Sequence, residues 1–407
     1  MTPQTARSQR GLATLVSVLA LLLGAALMSV YAQRHEVLAQ RMVQLDLEWV
    51  RAQTAAENGL RTLHQLLNRE SGWPGCSPSG LSARELWLDP TANGAWSLKL
   101  TDAEAVALHC RLGTQGSWQC ACPGQPESGE ATDPGADHAA TVQLRLSPSS
   151  QGLRLRAQAC TRVDTVCAAS VPAADVGLVA SARISEQVRW VSALANTPGV
   201  ALSIQGRLST HAGVRIESAT AIGPWIRVGA PWESAAQNLI APPGIPADTL
   251  VQLDSSTAPQ DAQDFLMPWL GVSPAEFPSL LQLQPLRCAD DCADALVQRV
   301  AQGERLIWVD GPLTIGRPVT LGRPDRPILV VASGAVTVGA PLVHHGLLVA
   351  AAGGQWVGGG ELHGGLLSAG DWVFAGPTQV VATPQHLTSL ARHVGRWVRF
   401  PGGREST

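Results

Sequence analysis

Leu12–Ala32 reads LATLVSVLALLLGAALMSVYA, a run without a single charge, preceded by Arg7 and Arg10 and followed by Arg34. About 20 apolar residues at 1.5 Å each cross the hydrocarbon core of a bilayer, and arginines on the N-terminal side hold that end inside. The stretch predicts a transmembrane helix over 12–32, with the rest of the chain exported. A cleaved secretory signal would carry a shorter apolar region and a small-x-small site after it, whereas here the helical pattern runs on. Apolar residues recur in steps of three or four at Leu38, Met42, Leu45, Trp49, Ala52, Ala56, Leu60, Leu63 and Leu67, which is one stripe of a helix. Arg41, Asp46, Glu48, Arg51, Glu57 and Arg61 fall off that stripe, and Gly72, Pro74 and Gly75 stop the helix after about Asn68. Leu12 to Asn68 is then a rod of roughly 85 Å. Its first half sits in lipid, and its second half packs on its own head or on neighbouring helices.

The chain has 407 residues, enough for two or three domains with real cores. Its formal net charge of -3 gives no electrostatic footprint for a nucleic-acid backbone, so no nucleic-acid partner is expected. With 40 glycines, 28 prolines and only 15% charged residues, the body suits short strands and turns better than a helical bundle. Eight cysteines, Cys76, Cys110, Cys120, Cys122, Cys160, Cys167, Cys288 and Cys292, all follow the apolar segment. An even set in an exported chain predicts disulfides. Local spacing favours Cys160 with Cys167 and Cys288 with Cys292, and the other four have three possible pairings. A zinc reading of His109, Cys110, Cys120 and Cys122 is disfavoured, because the spacing matches no standard ligand knuckle.

Trp96–Thr101 and Ala105–Leu112 are short strand candidates, and the polar stretch Pro123–Asp137 reads as an exposed loop. Val142–Leu146 and Leu153–Ala157 alternate strictly around a turn marked by Pro148 and Gly152, which predicts a hairpin. Ala180 to Trp190 continues the alternation as a third strand, with Glu186 out of pattern. Further on, Leu329-Val-Val-Ala-Ser-Gly334, Leu348-Val-Ala-Ala-Ala-Gly353 and Gly365-Leu-Leu-Ser-Ala-Gly370 form a weak repeat, each copy followed by a second short strand. Ile307–Gly316 has the same character, and Leu202–Val228 adds irregular copies. A period near 18, with an apolar strand, a glycine corner and another strand, fits one coil of a β-solenoid; a β-sandwich is the structural competitor. The expected fold class is α+β: a long N-terminal transmembrane and amphipathic helix, an antiparallel sheet and a C-terminal glycine-rich β-solenoid. The helix continues over 33–71, a β-rich head with disulfides spans 72–195, an irregular connection 196–300, and the solenoid 301–407.

No hydrolase elbow, metalloprotease helix, phosphate-binding loop or calcium-binding helix-loop-helix occurs in the sequence. His344-His345 reads as a corner pair at a turn, while Asp254, Asp261, Asp264, Asp290, Asp291 and Asp294 read as solvated acidic loops rather than a calcium site. Asp310, Asp325, Glu361 and Asp371 show no pairing of the kind a polysaccharide-cleaving solenoid needs. The expectation is a non-catalytic chain with no cofactor and no metal.

Gln9-Arg10-Gly11-Leu12-Ala13-Thr14-Leu15-Val16 resembles the processing site of type IV prepilins, a short basic leader ending in glycine before an apolar helix. Ala55-Ala56-Glu57-Asn58-Gly59-Leu60 is similar to an element of PilX-type minor pilins, as are Leu306-Ile-Trp308, the glycine-rich repeats and Val398-Arg-Phe-Pro-Gly402. The resemblance implies that residues 1–11 are a leader, that prepilin peptidase cuts between Gly11 and Leu12, and that 72–195 is a pilin-like head. Most major pilins carry glutamate where this chain has Val16, a departure shared by the GspK/PilX branch. A subunit without that carboxylate cannot neutralise the amine of a neighbour above it, which suits a tip position. The implied role is a minor pilin in the initiation or tip complex of a type IV pilus. It would sit in the inner membrane with its body in the periplasm, and then at the cell-surface end of the pilus in cell adhesion. Other minor pilins, the major pilin and a tip adhesin are the implied partners, met through the helix stripe. The competing expectation is a membrane-anchored periplasmic β-solenoid binding protein that recognises a surface or polysaccharide outside any filament.

Overall fold

The computed structural model describes residues 8–69, 82–91, 96–99, 107–112, 118–120, 140–161, 180–211, 213–218, 224–231, 245–254 and 261–406. The protein is α+β, with six α-helices among the described residues: α1 (Ser8–Asn68), α2 (Ala83–Trp87), α3 (Ala262–Leu270), α4 (Phe277–Leu280), α5 (Ala293–Ala301) and α6 (Pro384–His393). α1 is a single 61-residue helix. It holds no proline, and its residues between 33 and 67 are mostly Ala, Leu, Gln, Glu and Arg, the strong helix formers.

The C-terminal part of α1 lies on a six-stranded antiparallel sheet. Its strand order is Gly395–Ser406, Ser181–Ser192, Gly152–Cys160, Thr141–Ser149, Ala107–Leu112, Trp118–Cys120. The central pair is the hairpin expected from its alternation: Ser149 faces Gly152, and Gly152 has φ +151°, which its close approach to the carbonyl of Val188 requires. Val142, Leu144, Leu146, Leu153, Leu155, Ala157 and Ala159 point toward α1 and are buried. Small residues on the helix, Ala52, Ala55, Ala56 and Gly59, bring its backbone down onto the sheet, and Leu60, Leu63 and Leu67 fill the space beyond. Each of those leucines contributes about 1.5–3 kcal/mol by burial.

The outermost strand of this sheet, Gly395–Ser406, comes from the far end of the described chain. Gly395 pairs with Ser192, so residues 193–394 leave and rejoin the sheet at one point, closed by a hydrogen bond from Ala193 N to the Val394 carbonyl. The strand is fixed to α1 as well. Asn68 Nδ2 donates to the Trp397 carbonyl at 2.9 Å, Trp397 N donates to Asn68 Oδ1 at 2.8 Å, and Arg404 pairs with Glu57 at 2.6 Å. Glu186, out of pattern in the sequence, remains on the buried side, where Arg399 pairs with it at 2.8 Å. Burial raises its pKa, against the pull of Arg399 and Arg404.

Residues 193–394 carry parallel strands in register. Leu329 lies beside Leu347, Leu348 beside Leu366, Val336 beside Gly354 and Gly354 beside Trp372, each neighbour one repeat period further along the chain. The strands form three ribbons. One contains Leu306–Val309, Ile328–Ala332 and the second halves of Leu342–Ala350 and Gly360–Ser368, and continues through Leu202–Ile204, Ile226–Val228 and Val251–Leu253. A second contains Leu313–Ile315, Val336–Val338, Gly354–Trp356, Trp372–Phe374 and Leu208–Thr210. A third contains Val319–Leu321, the first halves of Leu342–Ala350 and Gly360–Ser368, Thr378–Ala382 and Arg215–Ser218. The segment 196–300, expected to be irregular, thus supplies strands to all three ribbons.

Between the ribbons lie Ile315, Val338, Trp356, Trp372, Phe374, Leu362, Leu366 and Val380, all fully buried. The first ribbon is also covered on its outer side by α3, α4 and α6, through Phe265, Leu266, Phe277, Leu387 and Leu390. Burial on both faces explains why Ile328–Ala332 is apolar throughout rather than alternating.

Candidate interaction surface on the N-terminal helix

Between Leu15 and Val50 the side chains of α1 are exposed almost without interruption, and the helix contains one stretch long and apolar enough to cross a membrane. Single exposed apolar residues are ordinary, but a continuous patch of this extent marks a lipid or protein contact. At 1.5 Å per residue, Leu12–Ala32 supplies about 32 Å, the thickness of a hydrocarbon core. The next turns are amphipathic. Arg51 pairs with Glu48 at 2.8 Å, while Leu38, Met42 and Trp49 are 53%, 64% and 53% exposed.

The sequence-predicted stripe is therefore divided. Leu38, Met42, Leu45 and Trp49 face outward, whereas Leu60, Leu63 and Leu67 are consumed by the protein's own sheet. The division falls at Ala52, the first fully buried residue among the described side chains of the helix. Gly11 and Leu12 lie in the helix, with side chains outside the described residues, and Val16 is exposed.

The cysteines all lie beyond this helix. Cys110 and Cys120 face each other across an antiparallel pair and are joined, and Cys288 is joined to Cys292. The first bridge resolves one of the pairings left open by spacing and removes both sulfurs from a zinc reading. Cys160 is also disulfide-bonded. Cys76, Cys122 and Cys167, and with them the expected Cys160–Cys167 bridge, fall outside the described residues.

Several of the acidic residues are engaged in structural contacts. Asp291 accepts from Gly316 N at 3.0 Å and Ala293 N at 2.9 Å, and pairs with Arg317, which also reaches Asp294 at 2.7 Å. The Gly316 and Ala293 backbone donors, in that order, hold its carboxyl below the usual range. Asp261 caps α3, Asp254 lies 3.6 Å from Arg227, and Asp310 pairs with Arg287 at 2.7 Å. Asp371 accepts from Arg207 N at 2.7 Å, tying the 202–210 strands to the 364–374 strands.

His344 and His345 lie within the strand Leu342–Ala350, not at a turn. His345 stacks on His363 at 4.7 Å, His386 of α6 meets His345 edge-on at 5.7 Å, and His363 contacts Glu361 at 2.7 Å. His344 is fully buried, and desolvation lowers its pKa to about 4. Sequence reading missed this cluster, although His345 and His363 are one repeat period apart. Among the described residues no group of three or more His, Cys, Asp or Glu is arranged to hold a metal ion. The apolar half of α1 could anchor the chain in a membrane. Comparison with protein-family models, curated proteins and solved structures finds no match.

Proposed function

We propose that this chain is a non-catalytic minor pilin of the PilX/GspK class, acting in initiation or at the tip of a type IV pilus. Residues 1–11 are its leader, prepilin peptidase cuts at Gly11–Leu12, and the body stands in the periplasm until the helix leaves the bilayer. The antiparallel sheet under α1 is the pilin-like head, and the three ribbons form a β-solenoid inserted into it. The observation that carries this reading is the division of α1 at Ala52 into an exposed apolar half and a half seated on its own sheet. A helix built only to anchor the body needs the membrane span. Here Leu38, Met42, Leu45 and Trp49 extend the apolar surface beyond it, where neighbouring pilin helices would cover them.

Bulk favours the tip. The residues beyond the rod make a far larger head than a repeating filament position accommodates, and Val16 supplies no carboxylate to a subunit above. Other minor pilins, the major pilin and a tip adhesin are the partners. N-terminal sequencing of protein extracted from membranes with active prepilin peptidase should begin at Leu12. Intact Met1 would overturn the pilin reading and leave the second one, a membrane-anchored solenoid binding protein. The parallel ribbons favour that second reading, since they outlie the head and need no filament.

A further inference from the structure

Where the third ribbon turns into the first, a His-Gly pair recurs one period apart, as His345-Gly346 and His363-Gly364. These glycines have φ +140° and +139°, and a β-carbon on either would collide with a carbonyl of the adjoining strand, Ile328 or Gly346. The register that places Gly346 beside Gly364 also stacks the two imidazoles, at 4.7 Å and within 13° of parallel. α6 closes over them. His386, in its first turn, meets His345 edge-on at 5.7 Å, and its Nδ1 donates to the His363 carbonyl at 3.0 Å.

The two ends of α6 are held differently. At its C-terminal end Ser192 Oγ donates to the Ala391 carbonyl at 2.9 Å, Ala193 N to the Val394 carbonyl at 2.9 Å and Arg305 Nη2 to Ser389 Oγ at 3.4 Å, while Leu390 is fully buried. The first turn has no side-chain cap and no acidic residue, and the Thr383 hydroxyl donates instead to the Val381 carbonyl at 3.2 Å. The positive end of the helix thus stands at the imidazole cluster with no anion of its own. Beside that end lies a cavity of about 130 Å³, lined by Pro384, Leu387 and Thr388 of α6 together with Val200, Trp225 and Gly364.

We propose that α6 is an acid-sensitive lid, hinged at Ala391–Val394, whose first turn lifts when protons collect on the histidine cluster and opens the cavity beside it. Glu361, 2.7 Å from His363, balances one positive charge. A second, on His345, stands 4.7 Å from the His363 ring and 5.7 Å from that of His386. His345 Nδ1 is enclosed, with no hydrogen-bond partner among the described residues, so a proton there gains a partner only when water enters. Burial, then the charges of His363 and His386, hold His345 below its ordinary 6.5, against the pull of Glu361. The closed lid therefore binds that proton more weakly than the open one, so closure is complete above about pH 6.5 and weakens below it. His344, fully buried on the same strand, is repelled by His345 and His386 in turn. The other charged groups around α6 are Arg84, Glu85, Arg305, Arg392 and His393. His393 is lowered by burial, then by Arg305 and Arg84, but it lies in the last turn, on the fixed side.

Amide hydrogen exchange of the full chain in detergent micelles, read by peptide and divided by the intrinsic rate at each pH, tests the lid. Between pH 7.5 and pH 5 the protection of Gln385–Thr388 should fall about tenfold, while Ile328–Ala332, in the ribbon beneath, keeps its protection. His345→Gln should leave α6 protected at pH 5. Glu361→Gln, at a half-exposed position, removes the balancing charge and should move the loss of protection to higher pH, a shift that a merely structural role would not produce. Constant protection of α6 in the unsubstituted protein, an equal fall in His345→Gln, an unmoved loss in Glu361→Gln, or a fall shared by Ile328–Ala332 would each overturn the proposal.

Discussion

Replacing Gly59 by alanine sets two effects of opposite sign against each other. In a helix interior alanine is favoured over glycine by about 1 kcal/mol. Gly59 lies where α1 meets the sheet, and a β-carbon there would sit 2.7 Å from Cγ1 of Val142 and 3.0 Å from Cδ2 of Leu144. Carbon atoms rest about 3.5–4.0 Å apart, so the helix must lift or Val142 must move by about 1 Å. Val142 and Leu144 are themselves buried in the same core. Overpacking of this kind costs about 1–3 kcal/mol, leaving a net loss of up to about 2 kcal/mol for Gly59→Ala. Adding Val142→Ala removes the obstructing methyl, so the double variant should be about 1–2 kcal/mol more stable than the sum of the two single effects. Urea unfolding of the detergent-solubilised chain measures both, read by the fluorescence of Trp87, Trp96, Trp190 and Trp397 in that core. A gain of about 1 kcal/mol in Gly59→Ala, or strict additivity in the double variant, would refute the close seat of the helix.

His344 gives a pH signature. Its folded pKa, about 4, lies below the ordinary 6.5 because burial disfavours its charge, so the unfolded chain binds the extra proton in between. Its stabilising contribution is complete above about pH 6.5, declines as pH falls toward 4 and is then flat, a change on the order of 3 kcal/mol. Substituting His344→Asn should remove that slope, and parallel unfolding curves of both proteins between pH 4 and 7 would show otherwise. At Asp371, replacement by alanine deprives Arg207 N of its acceptor, costing about 1–3 kcal/mol if the amide stays dry. Amide exchange at Leu208 and Thr210 should rise first, and uniform exchange across the ribbons would contradict a local joint there.

Local patterns were legible in the sequence. The end of α1 at Asn68 follows from the stripe and the glycines after it, and the 141–160 hairpin follows from alternation and its turn residues. Pairings between distant segments were not. The sequence repeat aligns Leu329 with Leu348, but the structure pairs Leu329 with Leu347. A slip of one residue normally moves apolar side chains to the wrong face. Because this strand is buried on both faces, its composition carries no trace of the register. Val398–Gly402, expected within the solenoid segment, lies in the strand that closes the antiparallel sheet, since nothing in Arg396–Phe400 names a partner as far back in the chain as Val188–Val191. The apolar stripe of the helix is legible in the sequence, yet only the packing shows which leucines the sheet already uses.

That late-arriving strand also sets an order of events as the chain is made. Ser181–Ser192 emerges with one side unpaired, and an open strand edge invites foreign pairing. The ribbons of the insert mostly join segments one repeat period apart and can form as they appear, whereas the sheet closes only when its most distant partner arrives. Asn68 then gains both of its backbone partners on Trp397. The foot of the rod thus locks in the same event that completes the sheet. Firmness at the base of the helix becomes a report, carried along α1 to its apolar half, that the body has finished folding.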